Sequence, residues 1–76
     1  MIEKGSWWIQ LKGSNGRALF KVIETGLATQ FGSESMVICK WMNADYGEKP
    51  LEEKYLHEHF RKLTKKQIIR WTLKNG

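Results

Sequence analysis

Two alternating apolar runs separated by Asn15-Gly16 constrain this chain more than any other feature. Asn-Gly is the pair best suited to a two-residue reverse turn, because both central positions need positive φ. Residues 7–24 therefore read as one β-hairpin. A turn at Asn15-Gly16 predicts Ser14 opposite Arg17, Leu11 opposite Phe20, Ile9 opposite Val22 and Trp7 opposite Glu24. Because side chains alternate along a strand, register decides the faces. Trp7, Ile9, Leu11, Phe20 and Val22 are then expected on the core face. Trp8, Gln10, Lys12, Leu19, Lys21 and Ile23 fall on the other, where an aromatic stands beside two lysines.

Length limits what such a hairpin can join. The chain has 76 residues, which is read as a single domain over 1–76. A domain of this size buries only about 60% of the surface its unfolded chain exposes, leaving little room for both a core and an enclosed catalytic cavity. Four Trp, three Phe and two Tyr compensate, since each ring buries about 150–250 Å². Four tryptophans exceed what so small a core holds, and at least one is expected to be partly exposed. Cys39 stands alone, which excludes an intrachain disulfide and favours a reducing compartment. Its place in an apolar run predicts a buried, inert thiol. The N-terminus lacks the basic segment and apolar run of a secretion signal, and no stretch approaches about 18 apolar residues. The expected location is cytoplasmic, or nuclear in a host with a nucleus, with no membrane partner.

Beyond the hairpin, residues 25–34 are polar and glycine-bearing and are expected to form a loop anchored by Phe31. The loop lacks the glycine spacing and closing Lys-Ser/Thr of a phosphate-binding loop. Residues 35–42 form a third strand, with Met36, Ile38, Lys40 and Met42 on one side and Val37, Cys39 and Trp41 on the other. Both sides are largely apolar, so the strand is expected to be central or covered on each side. Residues 43–49 make an open turn carrying Tyr46. Pro50 can open a helix at its first turn, followed by Glu52 and Glu53 near the positive end of the macrodipole. Leu56, Phe60 and Leu63 recur at helical spacing, which predicts a helix over 51–63. Residues 64–76 carry two signals. Thr64 and Gln67 have capping-box spacing and would start a second helix. Ile69, Trp71 and Leu73 alternate with Arg70, Thr72 and Lys74, which favours a final strand at 67–74. The strand is preferred. The expected fold is α+β, a small antiparallel sheet in the order strand–strand–strand–helix–strand.

Charge supplies the leading functional feature. Thirteen Lys and Arg against eight Asp and Glu give a net charge of +5. Residues 61–76 hold Arg61, Lys62, Lys65, Lys66, Arg70 and Lys74 with no acid, whereas residues 43–54 hold four acids and two lysines. As a strand, this tail lines Arg70 and Lys74 along one solvent face; as a helix, it stacks Lys66, Arg70 and Lys74 four apart. Either arrangement makes a positive patch of phosphate size, suited to a polyanion or an acidic protein. A solvated basic face is the plainer alternative. Trp8 with Gln10, Lys12 and Lys21 forms a second candidate surface, because an exposed ring can stack a base while lysines hold the backbone. The same Trp8 could instead cover a small core or anchor a protein partner. Trp41 and Trp71 are expected in the core.

Other chemistry is poorly provided for. His57 and His59 lie two apart and so on different helix faces, and with Cys39 they are too few for a closed zinc site. Cys39 sits mid-strand without an orienting group for nucleophilic work. Glu52 and Glu53 resemble helix-start residues more than an acid–base pair. No enzymatic activity, metal or cofactor is expected.

The strand from Trp7, the turn at Asn15-Gly16, the Val/Ile-rich second strand, the third strand around Trp41 and the Tyr55-Leu56…Phe60 element together resemble small SH3-like barrels. The chain looks like the small ones encoded by bacteriophages. The resemblance implies a partly open barrel that binds nucleic acid or docks on a host protein; a helix as long as 51–63 departs from the short 3₁₀ turn usual in that fold. The first expectation is a non-enzymatic nucleic-acid-binding module, contacting phosphates through Lys62, Lys65, Lys66, Arg70 and Lys74, with Trp8, Lys12 and Lys21 as a secondary surface. The second is a small protein-binding module or inhibitor docking on an acidic surface of a larger host protein. The third is a homo-oligomer paired through free sheet edges.

Overall fold

A computed structural model describes residues 2–13, 16–28 and 35–75. They form a five-stranded antiparallel open sheet with two helices, an α+β arrangement compatible with a small, partly open SH3-like sheet. The elements are β1 (Trp7–Gln10), β2 (Leu19–Ala28), β3 (Ser35–Trp41), β4 (Glu48–Glu52), α1 (Glu53–His59), β5 (Phe60–Lys62) and α2 (Lys65–Asn75). Spatial order across the sheet is β4-β3-β2-β1-β5, so the chain meanders through four strands and returns to close beside the first. Among the described residues, no helix is long and apolar enough to cross a membrane.

The hairpin exists, but its register differs from the expected one. Trp7 faces Lys21, Trp8 faces Phe20 and Ile9 faces Leu19. Trp7 thus lies three residues from its expected partner, Glu24, and an odd slip turns every side chain of β1 to the opposite face. The cause is the connection. Eight residues, 11–18, join β1 to β2 instead of a two-residue turn; Ser14 and Asn15 lie outside the described residues. Bonds at the strand ends hold the observed register: Ala18 N–H donates to Gln10 Oε1 at 3.1 Å, and Gln10 N–H donates to the Ala18 carbonyl at 2.9 Å. Gly13 allows the connection to close, because a Cβ there would collide with the Gly16 carbonyl.

The core follows from that register. Trp8, Phe20 and Val22 join Val37 and Cys39 of β3, Leu51 of β4, Leu56 of α1 and Phe60 in one buried cluster. Ile2 belongs to it as well, so the lead-in is part of the core. Backbone bonds fasten that segment: Gly5 N–H donates to the Val22 carbonyl at 2.7 Å, and Val22 N–H to the Ser6 carbonyl at 2.8 Å. Phe20 stacks on Phe60 with centroids 5.1 Å apart, and Trp41 meets Phe20 edge-on at 4.5 Å. Trp7 and Leu19 are also buried, outside that cluster and on the other face.

Three further expectations are corrected. Residues 25–28 extend β2 instead of opening a loop, with pairing irregularities on both sides of Glu24; Gly26, at φ +75°, occupies one of them. Phe31 lies outside the described residues. Pro50 sits in β4, opposite Ile38, and does not begin a helix. β4 is an edge strand, the place where a missing N–H is tolerated in a sheet. The helix predicted over 51–63 is accordingly confined to 53–59, because Phe60 departs into extended backbone and pairs with Gln10. Finally, 67–74 is not a strand. Thr64 and Gln67 form the reciprocal capping box, with Thr64 N–H to Gln67 Oε1 at 3.0 Å and Gln67 N–H to Thr64 Oγ1 at 3.2 Å. α2 begins there, and the final strand is the short β5 before it. Edge strand β4 carries Glu48, Lys49 and Pro50, and edge strand β5 has three residues; charge, proline and shortness all oppose edge-to-edge pairing.

Candidate nucleic-acid interface

β5 and α2 together present the basic tail. Leu63 N–H donates to the Trp7 carbonyl at 2.9 Å, which holds the chain beside β1 until it leaves the sheet. The capping box then starts α2 at once, so Arg61, Lys62, Lys65, Lys66, Arg70 and Lys74 occupy regular secondary structure and all are exposed. The ion pairs among the described residues are Lys4–Glu24 at 3.8 Å and Glu58–His59 at 3.9 Å, the latter only when His59 is protonated. Neither involves the tail. Lys65 and Lys66 stand in the first turn of α2, where no acid accompanies them. Cations there oppose the helix dipole, so the placement carries an electrostatic cost that an anionic partner would offset.

α2 is anchored by one aromatic contact. Trp71 approaches Trp7 edge-on, with centroids 5.4 Å apart at 64°. Trp71, Gln67 and Ile68 are half-buried, whereas Ile69 and Leu73 are 58% and 81% exposed. No residue of α2 is fully buried.

The second candidate surface does not assemble. Trp8 is 6% exposed, its Nε1–H donates to Ser6 Oγ at 3.0 Å, and His57 lies edge-on to it at 5.5 Å. The register slip put it in the core, so it cannot stack a base. Lys12 lies beyond β1 beside a shallow groove of Gln10, Leu11, Tyr55, Glu58 and His59, of about 370 Å³. Lys21 is on the opposite face, next to Trp7 and directly across from Lys40. Like charges directly opposite on neighbouring strands are destabilising. Lys40 was not among the expected site residues. It shares one side of β3 with Met36 and Ile38, which places it on the Lys21 face once the register is known.

Groups that could do covalent or metal chemistry are scattered. Cys39 is completely buried, and burial pushes its thiol up to about 11. No group of three metal-ligating side chains occurs among the described residues. Comparison with protein-family models, curated proteins and solved structures found no match to this chain.

Proposed function

We propose that this chain is a non-enzymatic nucleic-acid-binding module that contacts the phosphate backbone through Lys62, Lys65, Lys66, Arg70 and Lys74, with Arg61 beside them. One observation carries the reading: an acid-free set of exposed cations on β5 and α2, none in an ion pair with another described residue. A solvated basic face would gain from interspersed acids, which this segment lacks. Phosphates bound there would release counterions, so affinity would fall steeply with salt. Trp8 takes no part. Lys21 and Lys40 extend the positive field across the sheet face beside Trp7, while Lys12 stands apart. A binding role without catalysis is supported by the sealed position of Cys39 and by the separation of His57, against Trp8, from His59, against Tyr55.

A second reading draws on Ile69 and Leu73. Two exposed aliphatic side chains among cations would also suit an acidic host protein with an apolar groove. The discriminating test is a ¹⁵N-HSQC titration at low salt with mixed-sequence oligonucleotides, repeated at about 0.3 M salt, where charge–charge attraction is largely screened. Shifts confined to residues 61–75 that shrink with salt are expected. An unmoved spectrum would end the nucleic-acid reading.

A further inference from the structure

Resting on that reading, we infer that the partner is duplex B-form DNA, entered through its major groove by α2 with Ile69 and Leu73 turned towards the base edges and Lys65, Lys66, Arg70 and Lys74 along the phosphate rows.

The first argument is the outward face of the helix. At 3.6 residues per turn, Ile69 and Leu73 lie roughly 160° around the axis from Trp71, the residue that docks α2 on Trp7. Their exposure agrees with that placement. Lys66 adjoins them, and together with Arg70 they follow the spacing i, i+3, i+4, i+7 along one stripe. Lys65 flanks Ile69 and Leu73 on one side; Lys66, Arg70 and Lys74 flank them on the other. Cations on both flanks match the two phosphate rows that border a groove. Eleven residues make a helix about 16 Å long, and the major groove, about 12 Å wide, admits an α-helix.

The second argument concerns stacking. Sequence-tolerant single-strand binding uses aromatic platforms beside the cations. Trp7 and Trp8 are buried, and Trp71 is turned onto Trp7. The exposed tyrosines among the described residues, Tyr46 and Tyr55, belong to the β3–β4 connection and to α1. Among the described residues, the basic surface therefore offers no free ring to an unstacked base. Ile69 and Leu73 instead offer aliphatic contact of the kind that thymine methyl groups accept in the major groove. An A-form RNA duplex is disfavoured, since its major groove is too deep and narrow for side chains to read. A second copy of the chain is disfavoured by like charge, because α2 against α2 would bring acid-free basic stripes together.

The test compares four probes against the full chain at one salt concentration: a labelled DNA duplex, its single strand, the RNA duplex of the same sequence, and polyglutamate. Fluorescence anisotropy gives affinities, and ¹³C-HSQC follows the methyl groups of Ile69 and Leu73. The DNA duplex is expected to bind at least tenfold more tightly than the other three and to shift both sets of methyls. Ile69→Ala with Leu73→Ala should then weaken the duplex several-fold without changing the dependence on salt, and circular dichroism of that variant checks that α2 persists. Equal or tighter binding of the single strand or RNA would overturn the groove assignment while leaving phosphate contact intact. Binding of polyglutamate alone would overturn both and establish an acidic protein as the partner class.

Discussion

Replacing Trp71 by alanine should release α2 from the sheet without unfolding the rest. Trp71 is half-buried against Trp7, and its ring is the aromatic contact that ties α2 to β1. Half of a tryptophan's surface is about 100 Å², worth about 2.5 kcal/mol at about 25 cal/mol per Å². The edge-to-face pair adds about 0.5–1.5 kcal/mol. Losing about 3 kcal/mol leaves an 11-residue helix to stand alone, and helices below about 12–15 residues are marginal in water. The capping box cannot offset that loss, since one cap contributes only about 1 kcal/mol. Because α1 has 7 residues and α2 has 11, the helical signal in far-ultraviolet circular dichroism should fall by more than half. Amides of residues 65–75 should collapse towards coil positions while those of β2 and β3 stay dispersed. Every cation is retained in this variant, so salt-dependent binding should persist while any preference for duplex is lost. An unchanged helical signal, or loss of the whole sheet spectrum, would refute the claim that this pair docks α2.

Other perturbations test the remaining structure. Trp8→Ala should cost about 3–5 kcal/mol in chemical denaturation, as for a large core ring; a cost near zero would mean that Trp8 is at the surface. Cys39 should resist a thiol reagent until the protein unfolds. Its folded pKa, about 11, lies above the ordinary value of 9.0, so unfolding releases a proton between those values. Stability should therefore be full below pH 9 and decline as pH rises towards 11, with a slope near 1.4 kcal/mol per unit at most, about one proton's worth. Cys39→Ala should flatten that decline. Thr64→Ala should lower the stability of α2 by about 0.5–2 kcal/mol, read from amide exchange at Lys65–Ile68; unchanged exchange would show that the cap is dispensable.

How far the chain could be read without coordinates depended on where two local signals competed. The third strand was legible because Val37, Cys39 and Trp41 alternate strictly with Met36, Ile38 and Lys40, and β3 does lie inside the sheet. The hairpin was legible in kind but not in register. Adjacent Trp7 and Trp8 are both large and apolar, so the pattern did not say which faced the core; the paired bonds between Ala18 and Gln10 decide it. Pro50 is equally at home at a helix start or on an edge strand, and only the pairing of β4 with β3 separates the two. In the tail, alternation favoured a strand, yet Trp71 and Gln67 are also i, i+4 neighbours on a helix, and the Thr64–Gln67 box settled the competition. The exposure of the basic tail does not rest on that choice. Arg61, Lys62, Lys65, Lys66, Arg70 and Lys74 are exposed on β5 and α2, whereas a surface that depended on register, that of Trp8, Lys12 and Lys21, came apart.

The central claim is that β5 and α2 bind nucleic acid through phosphate contacts, and the salt dependence of affinity tests it most directly. Each neutralised phosphate contributes about −0.9 to the slope of log K against log salt concentration on duplex DNA. Engagement of four or five of the cations predicts a slope of about −4 for the unaltered chain, made shallower by about one unit each in Lys66→Ala and Arg70→Ala. A slope near zero, or one that neither substitution changes, would contradict the account.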